Sequence, residues 1–131
     1  MQKVLLVEDD LFIQEIFLRT FKKKGYDIVI AKDGEDGIQK AKAADFDVIL
    51  LDIMLPKMNG IDVLRVLRTS GAKAINTPIF VFTNLGQDDV MKEAFEIGAD
   101  GYFIKAQMDA SAVIVELEKF FKSHKNLPVT S

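Results

Sequence analysis

The stretch Val48-Ile49-Leu50-Leu51-Asp52 decides how this chain reads. Four apolar residues in succession offer no polar face, so a strand built from them is covered on both sides. A carboxylate follows at once. Similar short apolar runs stand at residues 4–7, 26–31, 79–82 and 102–104, separated by longer amphipathic stretches. Three of the five runs are almost wholly apolar. The run at 26–31 carries Asp27 near its start and suits an edge position.

The intervening stretches repeat at helical spacing. Ile13, Ile16, Phe17, Thr20 and Phe21 share one face of the first, and Ile61, Leu64 and Leu67 one face of the third. In the fourth, Val90 or Met91 lines up with Ala94, Phe95 and Ile97; in the fifth, Val113 lines up with Leu117, Phe120 and Phe121. The second, around Ile38, Ala41 and Ala44, has a thin apolar face. Gly25, Gly71 and Gly98 follow helices where a left-handed cap residue is needed. Asp10, Asp88 and Asp109 precede helices, where a carboxylate caps free amides. Strict alternation of strand and helix predicts an α/β fold: a five-stranded parallel sheet, doubly wound with five helices, in the flavodoxin-like order 2-1-3-4-5.

The chain's 131 residues suit one domain, here residues 1–123, with 124–131 as a flexible polar tail containing Pro128. There is no cysteine and only one histidine, His124 in that tail, which excludes disulfides, thiolate chemistry and a histidine-rich metal site. A net charge of −3 gives no general affinity for nucleic acid. The cluster Lys22-Lys23-Lys24 reads as a solvated helix end. No apolar stretch has the length of a signal core or a membrane span, and the expected location is the cytoplasm.

In a doubly wound sheet, ligands gather at the carboxyl ends of the strands. This sequence places Glu8, Asp9 and Asp10 after the first strand, Asp52 after the third, Thr83 after the fourth and Lys105 at the end of the fifth. Singly, each has an ordinary reading: Asp10 as a helix cap, Thr83 as a strand-end cap, Lys105 as a surface lysine. Together they are hard to explain structurally. Two carboxylates about 4 Å apart repel by roughly 4 kcal/mol at an effective dielectric near 20, so the cluster needs a proton or a cation. An all-oxygen ligand set favours Mg²⁺ over zinc. A carboxylate nucleophile, a metal, an ammonium and a hydroxyl are what phosphoryl transfer to a carboxylate requires.

The segment Val4-Leu5-Leu6-Val7-Glu8-Asp9-Asp10 resembles the acidic opening of response-regulator receiver domains, the chemotaxis-regulator-like phosphoacceptors of two-component signalling. The segment Asp52-Ile53-Met54-Leu55-Pro56-Lys57-Met58-Asn59-Gly60 is similar to that family's phosphoacceptor loop. Phe82-Thr83 and Tyr102-Phe103-Ile104-Lys105 resemble its other two signatures, and the likeness runs from about residue 3 to residue 122. It implies Asp52 as phosphoacceptor. Asp9, Asp52 and the Met54 carbonyl would bind Mg²⁺ directly, with Glu8 acting mainly through bound water. Thr83 and Lys105 would bind phosphoryl oxygens, and Tyr102 would be an aromatic switch that turns inward with Thr83.

The implied donor is a sensor histidine kinase or a histidine phosphotransfer protein. The implied target is a protein docking on the fourth helix, fifth strand and fifth helix, with the chain a monomer or a weak phosphorylation-dependent dimer. With no effector segment after residue 123, a stand-alone switch without direct DNA binding or separate substrate turnover is expected. Two positions depart from the family pattern, Asn84 for a small residue and Ala106 for proline. A non-proline cis bond costs about 2.5–4 kcal/mol, so a trans Lys105–Ala106 bond is expected, with a less direct reach of Lys105 to Asp52.

Three rivals remain. An FMN binder needs a hydroxyl- and glycine-rich first loop, which Glu8-Asp9-Asp10 is not. A small-molecule phosphatase with an aspartate nucleophile usually opens an Asp-x-Asp motif after the first strand. A receiver-shaped scaffold that acts by binding alone shares all the sequence features.

Overall fold

A computed structural model of the chain describes residues 2–84 and 88–125. Strands and helices alternate: β1 (Lys3–Val7), α1 (Leu11–Lys23), β2 (Asp27–Ala31), α2 (Gly34–Ala43), β3 (Val48–Asp52), α3 (Gly60–Leu67), β4 (Ile79–Thr83), α4 (Asp88–Ile97), β5 (Gly101–Ile104) and α5 (Ala110–Lys125). The five strands form one parallel sheet in the order β2-β1-β3-β4-β5, as the alternation predicts.

Strand periodicity divides the apolar residues between two cores. Leu5, Val7, Ile49, Leu51, Ile79 and Val81 point to one side, beneath α2, α3 and α4. Val4, Leu6, Val48, Leu50, Phe80 and Phe82 point to the other, beneath α1 and α5. All residues of β3 and β4 are buried, which accounts for the unbroken apolar runs that precede Asp52 and Thr83. The thin face of α2 is explained by its glycines: a Cβ at Gly37 would lie 2.8 Å from the Val7 side chain, and one at Gly34 2.7 Å from that of Val63. The helix packs by close backbone approach instead of by large side chains.

Helix ends follow the expected chemistry. Asp10 accepts the Phe12 and Ile13 amides at the start of α1, Asn59 accepts the Asp62 amide in α3, and Asp109 accepts the Ala112 amide in α5. Gly25, Gly71 and Gly98 all have positive φ. Asp88 is itself the first residue of α4 rather than preceding it. Two expectations need correction. Phe95 is 44% exposed and packs outside the core, edge-on to Tyr102, because the inward positions of α4 are taken by Met91 and Ala94. The last helix continues to Lys125, so the first two positions of the expected tail are helical. The rest of that tail, with Pro128, lies outside the described residues.

Candidate functional site

The sheet register assembles the site. Val7 pairs with Leu51, which sets Glu8 beside Asp52. Asp52 pairs with Phe82 and Thr83 with Ile104, so Thr83 and Lys105 each stand one step beyond a paired residue on the same edge. Carboxylate oxygens of Glu8, Asp9 and Asp52 all lie within 4.8 Å of one another. Glu8 and Asp52 are buried, whereas Asp9 is exposed at the opening.

Lys105 crosses the site. Its ammonium lies 2.9 Å from Asp52 Oδ2 and 2.6 Å from Glu8 Oε1, and 5.3 Å from the centre of the Phe82 ring. Both contacts are close ion pairs, and the one to Asp52 is also a hydrogen bond. The Lys105–Ala106 bond is trans, as expected, since no described peptide bond is cis. The expected less direct reach of Lys105 is corrected by the 2.9 Å contact: the Lys105 amide bonds the Thr83 carbonyl at 2.7 Å, which holds the residue in strand register without help from a proline.

The segment after Asp52 turns back on itself. The Met54 amide donates to Asp52 Oδ1 at 3.0 Å, Lys57 takes a left-handed φ of 66°, and the Gly60 amide donates to the Ile53 carbonyl at 2.9 Å. A Cβ at Gly60 would overlap the main chain of Asp52 and Ile53, so only glycine allows α3 to start this close. The Met54 side chain is 65% exposed at the rim. Thr83 is buried at the end of β4. Tyr102 is 49% exposed, with its ring turned outward against Phe95 at 6.1 Å between centroids.

Charge follows from burial. Desolvation pushes the Glu8 carboxyl up from 4.5 to about 6, and the negative charge of Asp52 adds to this, while Lys105 and the Asp10 amide pull the other way. Burial works to lower the Lys105 ammonium, but Glu8 and Asp52 outweigh it and hold the group above its ordinary value. The site therefore keeps its lysine charged and one carboxyl close to neutral pH. Its donor set fits a small hard cation, because every candidate ligand is an oxygen and one lysine does not balance three carboxylates.

The sequence placed Glu8, Asp9, Asp52, Thr83 and Lys105 on one edge. It did not reveal that Glu8 faces Lys105, that Phe95 backs Tyr102, or that Gln14 reaches the acidic loop, with its side-chain amide 2.6 Å from the Glu8 carbonyl. A polar residue on α1, one turn past the loop, was the only signal for the last.

Known proteins share this sequence pattern and fold. The model of the response regulator receiver domain matches residues 4–117. The cell cycle transcriptional regulator CtrA of Caulobacter vibrioides is 40% identical over 103 residues, 79% of this chain and 43% of that protein. The chain thus spans less than half the length of the curated relatives it matches. Chemotaxis protein CheY4 of Vibrio cholerae superposes with a TM-score of 0.84 at 29% identity, covering 91% of this chain and 98% of that one. The receiver domain of sensor histidine kinase PA1611 of Pseudomonas aeruginosa, solved with magnesium in its active site cleft, has a TM-score of 0.80 at 24% identity, covering 90% and 95%. With a family model that matches residues 4–117, and the same fold in a solved chemotaxis protein, this protein belongs to the response regulator receiver domain family.

Proposed function

We propose that this domain is a phosphorylation-dependent switch of two-component signalling, with Asp52 the residue that carries the phosphoryl group. The observation that carries this reading is Lys105 held at 2.9 Å from Asp52 inside a cluster of three carboxylates. An Asp52 oxygen attacks phosphorus in line, forming an acyl phosphate, as the bond from phosphorus to the donor breaks. When the donor is a phosphohistidine, the imidazole leaves with its electron pair and takes a proton from solvent. Lys105, already charged, neutralises a phosphoryl oxygen, and the Thr83 hydroxyl donates to another.

Asp9, Asp52 and the Met54 carbonyl would hold Mg²⁺, with Glu8 acting through bound water. The ion would supply positive charge shared by the carboxylates and the transferring oxygens. The magnesium in the related PA1611 receiver domain supports this assignment. Tyr102 is the switch residue: its ring turns inward when Thr83 is drawn to the phosphoryl group, shifting the population of a pre-existing state.

The phosphoryl donor is a histidine kinase or histidine phosphotransfer protein, and the output is a protein contact on α4, β5 and α5. Such a role places the domain in the cytoplasm. No described helix is long and apolar enough to cross a membrane. The test is incubation with Mg²⁺ and acetyl phosphate, followed by intact mass. One phosphoryl group should add to the wild type and none to Asp52→Asn; equal labelling of the two overturns the assignment.

A further inference from the structure

We propose that Gln14 is a positioning residue for the site's cation, acting by fixing the peptide run from Glu8 to Asp10 so that Asp9 faces Asp52. The main chain leaves the sheet at this run. The Glu8 amide still finds a partner in the Ala31 carbonyl at 2.9 Å, and the Asp10 amide is taken by Glu8 Oε2 at 2.8 Å. The Asp10 carbonyl, at the N-cap of α1, accepts the first helical bond, whereas the Glu8 carbonyl, which lies beyond the strand, turns to a side chain of α1. The Gln14 side-chain amide donates to the Glu8 carbonyl at 2.6 Å, and the Gln14 main-chain amide donates to the Asp10 carbonyl at 3.0 Å.

Asp9 lies between those two anchors. Its side chain is the exposed member of the carboxylate cluster and has the least protein around it to set its direction. Its orientation depends on the peptides either side: the Gln14 side chain holds the Glu8–Asp9 peptide through the Glu8 carbonyl, and Glu8 Oε2 holds the Asp9–Asp10 peptide through the Asp10 amide. The orientation of the Gln14 amide is fixed by chemistry, since only its nitrogen end can donate to a carbonyl. Leu11 and Phe12, in the same first turn and largely exposed, supply no such tie. Outer-shell groups that orient metal ligands typically account for about 10–100-fold in metal affinity. This inference rests on the reading of Glu8, Asp9 and Asp52 as the cation site.

The experiment is calorimetric titration of the metal-free protein with Mg²⁺, for wild type, Gln14→Met and Leu11→Ala. Methionine matches glutamine in length and has no donor. The Kd for Mg²⁺ should rise about 10-fold in Gln14→Met and stay unchanged in Leu11→Ala. The Mg²⁺ concentration for half-maximal labelling by acetyl phosphate should rise in parallel, while the rate at saturating Mg²⁺ stays within about twofold of wild type. A purely structural role would lower the melting temperature of the metal-free protein and leave the Kd alone, and that result overturns the proposal. If methionine disturbs folding, Gln14→Asn keeps the amide but cannot span to the Glu8 carbonyl, and the same two outcomes decide. A wild type that binds no Mg²⁺ would sink the cation site itself, and this role with it.

Discussion

Lys105 lies closer to Glu8 than to Asp52, at 2.6 Å against 2.9 Å, and so bridges two buried carboxylates with one charge. Removing one partner from such a group leaves uncompensated charge, typically at a cost of about 3–5 kcal/mol. Lys105→Ala should therefore lower the stability of the metal-free protein by about 3 kcal/mol at neutral pH. Added Mg²⁺ should restore more stability to the variant than it confers on the wild type, since the ion then supplies the only positive charge. Urea unfolding with and without Mg²⁺ measures both effects. A variant as stable as wild type without metal contradicts the electrostatic account.

The Glu8 carboxyl makes the site pH-sensitive. Its pKa is raised by burial from 4.5 to about 6, so the folded state holds a proton that the unfolded chain releases. The stabilising contribution of protonated Glu8 is complete below pH 4.5 and is lost as pH rises through about 6. A shift of this size corresponds to about 2 kcal/mol. Carboxyl ¹³C NMR of the metal-free protein should show Glu8 titrating near pH 6, with the midpoint falling when Mg²⁺ is added. A midpoint at or below 4.5 without metal would show that burial does not dominate.

Gly60 and Gly71 separate two reasons for glycine. A side chain at Gly60 would overlap the main chain of Asp52 and Ile53, whereas Gly71 has nothing within 4 Å of an added Cβ but a φ of +86°. Gly60→Ala should cost about 2 kcal/mol by overpacking and should slow phosphorylation, because the displaced atoms belong to Asp52, the proposed acceptor. Gly71→Ala should cost about 1 kcal/mol through backbone strain and leave phosphorylation unchanged. Chemical unfolding together with acetyl phosphate labelling rates distinguishes them; equal rates in both variants would count against the close-approach explanation.

The features legible in the sequence were those fixed by chain periodicity. The unbroken apolar run before Asp52 announced a doubly covered strand, and parallel register then carried Glu8, Asp9, Thr83 and Lys105 to the same edge. Relations that depend on how far a side chain reaches across the fold were hidden. Phe95 fits the apolar stripe of α4 by spacing, yet it lies outside because Met91 and Ala94 fill the inner face. Arg68 reads as a charged residue at a helix end, yet its guanidinium donates to the Gly98 and Ala74 carbonyls and to Asp100, tying the end of α3 to the start of β5. Loss of the usual proline at Ala106 suggested a weaker Lys105–Asp52 contact, but the strand register supplies the contact on its own.

The edge-on packing of Tyr102 against Phe95 gives the outward ring a partner that the proposed inward turn would break. Aromatic pairs of this kind contribute about 0.5–1.5 kcal/mol beyond area burial. Phe95→Ala should thus raise the inward population of Tyr102 by roughly 2–10-fold in the unphosphorylated protein, by conversion of that energy. NMR of the Tyr102 ring, compared between the resting and phosphorylated states, reports the population. A ring that stays outward in Phe95→Ala to the same extent as in wild type removes Phe95 from the switch.

The central claim is that Asp52 forms the acyl phosphate, and the most direct measurement locates that bond. The protein is treated with acetyl phosphate and Mg²⁺, reduced with borohydride, digested and sequenced by fragmentation mass spectrometry. Borohydride converts an aspartyl phosphate to homoserine and leaves a free carboxylate untouched, so the modified residue is marked permanently. The account predicts homoserine at position 52 alone, dependent on both Mg²⁺ and the phosphoryl donor. Homoserine at another aspartate, or none at position 52 in a protein that has gained a phosphoryl group, would contradict it.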